Sequence, residues 1–148
     1  DDRLLISSGY KHGAALVEVG EKGMQMEFLW ETKGMQNESS TCVLIGEHLY
    51  GFDQAVLKCM DLEGNEKWAQ RGLGKGALSA AGERLIIMTS RGELVVAQAN
   101  AEEFEELSRA KVVDGGVCWS MPILSGGRIY CRNSLGNLVV RDHRVGDR

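Results

Sequence analysis

The sequence predicts an all-β protein built from the blades of a β-propeller. A hydrophobic pair that follows a turn of glycine or charged residues recurs four times, at Leu4-Leu5, Leu49-Tyr50, Leu85-Ile86 and Ile129-Tyr130. Successive pairs are 45, 36 and 44 residues apart. A repeat of about 40 residues made of short strands, rather than of helix pairs, is typical of a propeller blade. Glycine is abundant at 19 residues and proline occurs once, as expected for many hairpins and few rigid linkers.

Each copy alternates short apolar strands with tight turns. In the third copy, residues 84–88 and 94–97 are predicted as strands that flank a turn at 90–93. Glycine is used in such turns because they need a positive φ. We therefore expect blades of four antiparallel strands, about four in number, that form a partial propeller. Their approximate bounds are 1–36, 37–74, 75–114 and 115–148.

The two ends of the repeat pattern are expected to lack a strand. The first copy begins directly at its 4–8 strand, without a segment that could form an innermost strand. The last copy stops before an outer strand of the kind that Trp30 and Trp68 mark in the first two copies. Open edges recruit partner strands. The chain is thus expected to be the carboxy-terminal part of a longer propeller, or to complete its ring as a homodimer through these edges.

Three tryptophans have different predicted roles. Trp30 and Trp68 each close the outer strand of a blade, where a large amphipathic ring can fill the wedge between blades while its indole N–H finds a carbonyl. We interpret both as structural staples. Trp119 precedes an innermost strand, where side chains can face the central channel, although packing under the blade is the alternative. The candidate channel-facing or interaction residues are Trp119, Ser120, Ser39, Ser40 and Lys75.

Other features of the sequence are interpreted as structural. Each of the four cysteines lies in or beside an apolar strand and none are spaced as Cys-x-x-Cys, so we expect thiols and no metal site. The glycine-rich stretch 72–76 departs from a phosphate-binding loop at two positions and is expected to connect two blades. Residues 101–107 have a helical spacing of Phe104 and Leu107, which predicts a short helical turn near 102–106.

Several motifs resemble a known family. Residues 61–68 form an Asp-x-x-Gly-x-x-x-Trp pattern, which resembles the pattern that ends the blades of quinoprotein-like propellers, shortened by one residue. Residues 50–53, 72–76, 118–122 and 129–133 resemble the final blades of pyrroloquinoline-quinone-like repeat proteins. These are bacterial envelope proteins similar to the propeller lipoprotein of the outer-membrane β-barrel assembly machinery. The resemblance covers roughly residues 39–144 and implies a periplasmic location, although the sequence contains no signal segment.

Two classes of function follow. The favoured one is a non-catalytic scaffold or protein-interaction module of the cell envelope that binds a protein or peptide, with strand addition as one mode. The alternative is a fragment of a quinone-dependent alcohol or sugar oxidoreductase, for which the resemblance implies pyrroloquinoline quinone and calcium; the favoured function needs no cofactor, and we assign no catalytic residue. The net charge of −4 disfavours nucleic-acid binding. No apolar run is long enough to span a bilayer.

Overall fold

The chain forms four antiparallel sheets that follow one another in sequence. The computed structural model describes residues 2–20 and 25–143. These residues contain 14 strands and no helix. The first and last sheets have three strands and the two middle sheets have four. The predicted all-β class and partial propeller are therefore confirmed, and we call the four sheets blades 1 to 4.

Every blade is a meander in which neighbours in sequence are neighbours in the sheet. Blade 1 consists of β1 (Arg3–Ser8), β2 (Gly13–Val19) and β3 (Met26–Thr32). Blade 2 consists of β4 (Val43–Ile45), β5 (His48–Asp53), β6 (Val56–Asp61) and β7 (Glu66–Gln70). Blade 3 consists of β8 (Gly76–Ala81), β9 (Arg84–Thr89), β10 (Glu93–Gln98) and β11 (Glu105–Lys111). Blade 4 consists of β12 (Ile123–Ser125), β13 (Arg128–Arg132) and β14 (Leu138–Asp142).

The register places the missing strands at opposite sides of the two outer blades. Leu5, Tyr50, Ile86 and Tyr130 occupy the same position in β1, β5, β9 and β13, as their partners across the ladder show. Blade 1 thus has no strand at the position of β4, β8 and β12, within the described residues. Blade 4 has none at the position of β7 and β11 in the same residues, and residues 144–148 of its predicted range lie outside them.

The predicted helical turn near 102–106 is wrong. Residues 101–103 form bends, and Glu105 and Glu106 already belong to β11. The spacing of Phe104 and Leu107 is helical only in sequence, because Phe104 packs on the core beside Trp68 while Leu107 lies in the strand. Pairing of β11 with β10 satisfies the backbone of this segment, which overrides its local pattern.

Three apolar clusters lie between successive blades. The front face of a blade, which we define by the row of Leu5, Tyr50 and Ile86, packs on the next blade. Between blades 1 and 2, for example, the front face of blade 1 packs on Leu49 and Met60 in the back face of blade 2. The second cluster joins the front of blade 2 to the back of blade 3, and the third joins blades 3 and 4. Each sheet buries its faces only against its neighbours, as in other repeat architectures.

The outer ladder carries the same irregularity in three blades. A β-bulge makes Leu29, Lys67 and Leu107 the extra residue of β3, β7 and β11. The residue that follows each bulge is Trp30, Trp68 or Ser108, paired with Leu16, Cys59 or Val96. Bulges bend a strand and re-aim its side chains. The three positions are therefore structurally equivalent, and blade 3 has a serine where the first two blades have tryptophan.

All four cysteines are free thiols, and three of them are buried. Burial raises the pKa of the Cys59 thiol to about 11 and that of the Cys131 thiol to about 11. An unfolded thiol ionises near pH 8.5. The unfolded chain therefore binds fewer protons than the folded chain above that pH, and the free energy of unfolding must fall as the pH rises toward 11.

We expect each of these two thiols to remove on the order of 1 kcal/mol of stability between about pH 8 and pH 10. Urea midpoints measured across this range should fall more steeply for the native sequence than for Cys59→Ala with Cys131→Ala. Equal slopes for the two proteins would mean that the thiols ionise as easily when folded as when unfolded.

Candidate binding surfaces and blade junctions

The motif turn of blade 2 receives the tryptophan of blade 1. The carboxylate of Asp61 accepts hydrogen bonds from the backbone N–H groups of Glu63 and Asn65, at 3.1 and 2.8 Å. Desolvation raises the pKa of this carboxyl, but the bonds from Asn65 and Glu63 outweigh it and hold the pKa below its usual value. The indole of Trp30 donates to the carbonyl of Leu62 in the same turn, at 2.8 Å. The turn therefore anchors one blade to the next.

Gly64 is the residue that lets the indole approach this turn. Its φ of +88° lies in the left-handed region. A Cβ placed on Gly64 would stand 2.9 Å from the ring of Trp30. Two physical requirements therefore explain the glycine of the Asp-x-x-Gly-x-x-x-Trp pattern. The turn needs a left-handed backbone conformation, and a ring from the preceding blade packs too closely for a side chain.

Trp68 forms the equivalent contact at the second junction. Its indole donates to the carbonyl of Asn100 in blade 3, at 2.7 Å. Its ring lies 6.0 Å from that of Tyr50 and 5.9 Å, edge to face, from that of Phe104. Aromatic pairs at these separations add to the energy of burial. The structure thus places both Trp30 and Trp68 across junctions between blades.

The connections between blades all cross the same end of the molecule. The carbonyls of Gln36, Lys75 and Val117 accept hydrogen bonds from the backbone N–H groups of Gln54, Ser90 and Ser134. In each case a connection leading to the innermost strand crosses the turn between the second and third strands of its own blade. We call this side the loop end. All five candidate interaction residues lie in these connections.

Lys75 and the serine pair come from neighbouring blades and lie close together. The ammonium group of Lys75 pairs with the carboxylate of Glu38 at 2.5 Å, and Glu38 directly precedes Ser39 and Ser40. This pair is partly exposed, so it contributes little stability. The pair joins the connection of blade 2 to that of blade 3, and the sequence did not reveal it because the two residues are 37 positions apart.

Trp119 and Ser120 lie in blade 4, and no interaction joins them to the Lys75 group. Trp119 is 45% exposed and Met121 is 42% exposed, whereas Cys118 before them and Pro122 after them are buried. The hydroxyl of Ser120 accepts a hydrogen bond from the guanidinium of Arg132 at 2.8 Å. The loop end of blade 4 therefore presents an aromatic ring and a thioether to solvent beside a cation. Met121 and Arg132 were not among the sequence-predicted residues.

The sequence did not predict a half-buried ion cluster in blade 2. The ammonium group of Lys58 lies 2.8 Å from the carboxylate of Asp53 and 2.9 Å from that of Glu66. Burial opposes the charge of Lys58, but the bonds to Asp53 and Glu66 outweigh it and raise its pKa. Asp53 also accepts a hydrogen bond from the backbone N–H of Gln36 at 3.2 Å. The cluster thus supports the loop end, and its single ammonium group is shared by two carboxylates of the same blade.

The enzyme branch implied by the sequence resemblance would require calcium beside its quinone. Calcium is held by several converging oxygen ligands. In residues 2–20 and 25–143, no group of three or more His, Cys, Asp or Glu side chains is placed to hold a metal ion. The same residues contain no helix of a length and hydropathy that could cross a membrane.

Comparisons with known proteins bear on the fold of this chain. The structure is similar to BamB from Moraxella catarrhalis, with a TM-score of 0.71 and 14% identity over 95% of this chain. It is also similar to a europium-containing methanol dehydrogenase, with a TM-score of 0.51 and 16% identity over 61% of this chain. The chain spans 40% of the length of the first protein and 19% of the second. No family model and no curated protein matches the sequence. At these identities the likeness establishes the fold of a pyrroloquinoline-quinone-like propeller.

We expect Gly64→Ala to destabilise the protein by about 1 kcal/mol more than Gly72→Ala. Both glycines have a similar left-handed φ, +88° and +94°, so both variants carry the same backbone strain. Only the methyl group at 64 meets a ring, because no atom lies within 4 Å of a Cβ at 72. Urea midpoints followed by tryptophan fluorescence measure the difference. Equal midpoints would show that the turn does not hold the Trp30 ring.

Proposed function

We propose that this chain is a non-catalytic protein-interaction module of the bacterial cell envelope. The observation that carries the proposal is the exposed pair of Trp119 and Met121 at the loop end of blade 4. Aromatic residues and methionine are enriched at the centres of protein interfaces. The preceding connection is fixed by the bond between Val117 and Ser134, so the pair projects from a defined backbone. The likeness of the fold to BamB supports a partner that is a protein and a location in the envelope.

Site-specific photocrosslinking in living cells tests this function. A photoreactive phenylalanine at position 119 should form adducts with protein components of the outer-membrane β-barrel assembly machinery, the system implied by the sequence resemblance. The same residue at position 47, in an exposed turn at the opposite end, should not. Adducts identical at both positions, or none at position 119, would overturn the proposal. Retention of pyrroloquinoline quinone with calcium after desalting would instead support the oxidoreductase.

Self-association is a second property that we propose for this chain. The front face of blade 4 exposes Ile123 and Val140, and the back face of blade 1 exposes Leu4, Ile6 and Phe28. These faces are of the two kinds that pack together at the three internal junctions. A front face of one copy and a back face of another therefore form matching halves, and two such contacts close a ring of about eight blades.

Light scattering at micromolar concentration should accordingly report a dimer. Phe28→Asp should convert it to a monomer because the carboxylate would be buried in the contact. Leu107→Asp, at an exposed position of the outer strand β11, should leave the dimer intact. A monodisperse monomer for the native sequence would contradict the proposal.

A further inference from the structure

The two ends of the molecule carry opposite charge. In the described part of the chain, the turns and connections of the loop end contain five lysine or arginine residues and two acidic residues, which are Lys11, Lys33, Arg71, Lys75 and Arg91 against Glu38 and Asp114. The described turns at the opposite end contain no lysine or arginine and five acidic residues, which are Glu47, Glu63, Glu83, Glu102 and Glu103. The whole chain has a net charge of −4. The positive loop end is therefore produced by the arrangement of the strands and not by a basic composition.

Trp119 occupies a position of the loop end that recurs in three blades. In blades 2, 3 and 4 the inner strand pairs with the row of Tyr50 and its equivalents. The position four residues before that pair is Ser39, Lys75 or Trp119, and none of the three is buried. Blades 2 and 3 are each followed by another blade, so stacking of a next blade does not cover this position. The ring of Trp119 thus belongs to the surface of the loop end rather than to a face between blades.

Arg132 provides a positioned cation beside this ring. Its Nε donates a hydrogen bond to the hydroxyl of Ser120, the neighbour of Trp119, at 2.8 Å. Within the described residues no carboxylate forms an ion pair with Arg132, whereas Arg128 at the other end of the same strand lies 3.4 Å from the carboxylate of Asp142. A guanidinium that is held through Nε still presents its two terminal amino groups, and their planar geometry matches a carboxylate.

We propose that the loop end binds an acidic segment of a protein partner, in which a carboxylate pairs with Arg132 and a neighbouring apolar side chain packs on Trp119. This rests on the proposed function, because it names the chemistry of the partner that Trp119 contacts. Complementary charge speeds the encounter, and the acidic opposite end repels the same segment, so the partner meets the molecule in one orientation.

The arrangement of charge favours a protein segment over an anionic lipid surface. Lipid headgroups are bound by clusters of lysine and arginine whose charges act together. At the loop end Lys75 is instead paired with Glu38, and Lys111 at the end of β11 lies 3.7 Å from Asp114. These local pairs leave the fork of Arg132 as a discrete site next to an apolar ring.

Two matched peptides test the preference for acidic side chains. One fluorescein-labelled peptide alternates leucine with aspartate, and its control alternates leucine with asparagine. The aspartate peptide should bind the protein saturably in fluorescence polarisation, and the asparagine peptide about tenfold more weakly, because a neutral amide forms no charge-assisted bond with a guanidinium.

Two arginines of β13 provide matched variants for the same measurement. Arg132→Gln should weaken binding of the aspartate peptide about tenfold. Arg128→Gln, at the opposite end of the strand, should leave it unchanged. Trp119→Ala should also weaken binding about tenfold, whereas Trp119→Phe should retain it because the phenyl ring still packs on an apolar side chain.

Four results would overturn this site: an absence of saturable binding, equal affinity of the two peptides, equal loss in the two arginine variants, or binding to phosphatidylglycerol vesicles that Arg132→Gln abolishes. The last result would assign the loop end to a lipid surface. In cells, Arg132→Glu should reduce the adducts formed at position 119. Adducts that persist unchanged would leave the proposed function standing and remove the acidic partner, whereas a lack of adducts with the native Arg132 would remove the function and leave the peptide result intact.

Discussion

Packing of the front of one blade on the back of the next is the constraint on which this molecule depends. A sheet of three or four short strands cannot bury both of its faces by itself, and the three apolar clusters lie between blades rather than within them. At two junctions an indole N–H also bonds a carbonyl in a turn of the following blade. The positions of the turns, and with them every surface discussed above, follow from this contact between neighbours.

At the loop end, the contacts that hold the fold are made by main-chain atoms rather than by side chains. One backbone hydrogen bond per blade holds the connection across the turn, and its donor and acceptor are main-chain atoms in blades 2, 3 and 4. The side chains at these positions are therefore free to differ. Blade 4 uses this freedom to expose Trp119, while Lys75 of blade 3 pairs with Glu38 of blade 2. At the loop end, main-chain atoms therefore hold the connections, and the side chains are left to vary.

Sequence reasoning succeeded where the physics is local and periodic. Alternation and glycine turns predicted the antiparallel meanders, because the pattern that marks a strand also decides which face it buries. The same reasoning failed at residues 102–106, where pairing with β10 overrides a helical spacing. It also could not find the Lys75 and Glu38 pair or the Asp53, Lys58 and Glu66 cluster. Each of these features joins residues that the pairing and stacking of strands bring together, and no local motif predicts that they lie close to one another.

The serine at position 108 makes the junctions between blades unequal. The first two carry an indole anchor at this position, whereas the third relies on its apolar cluster and on the backbone bond from the N–H of Cys118 to the carbonyl of Ser90. In a linear array, stability is close to a sum of nearest-neighbour terms, and opening concentrates at the weakest interface. The third junction therefore depends more on its apolar cluster than the first two do, and loss of apolar contact there would release blade 4 together with Trp119.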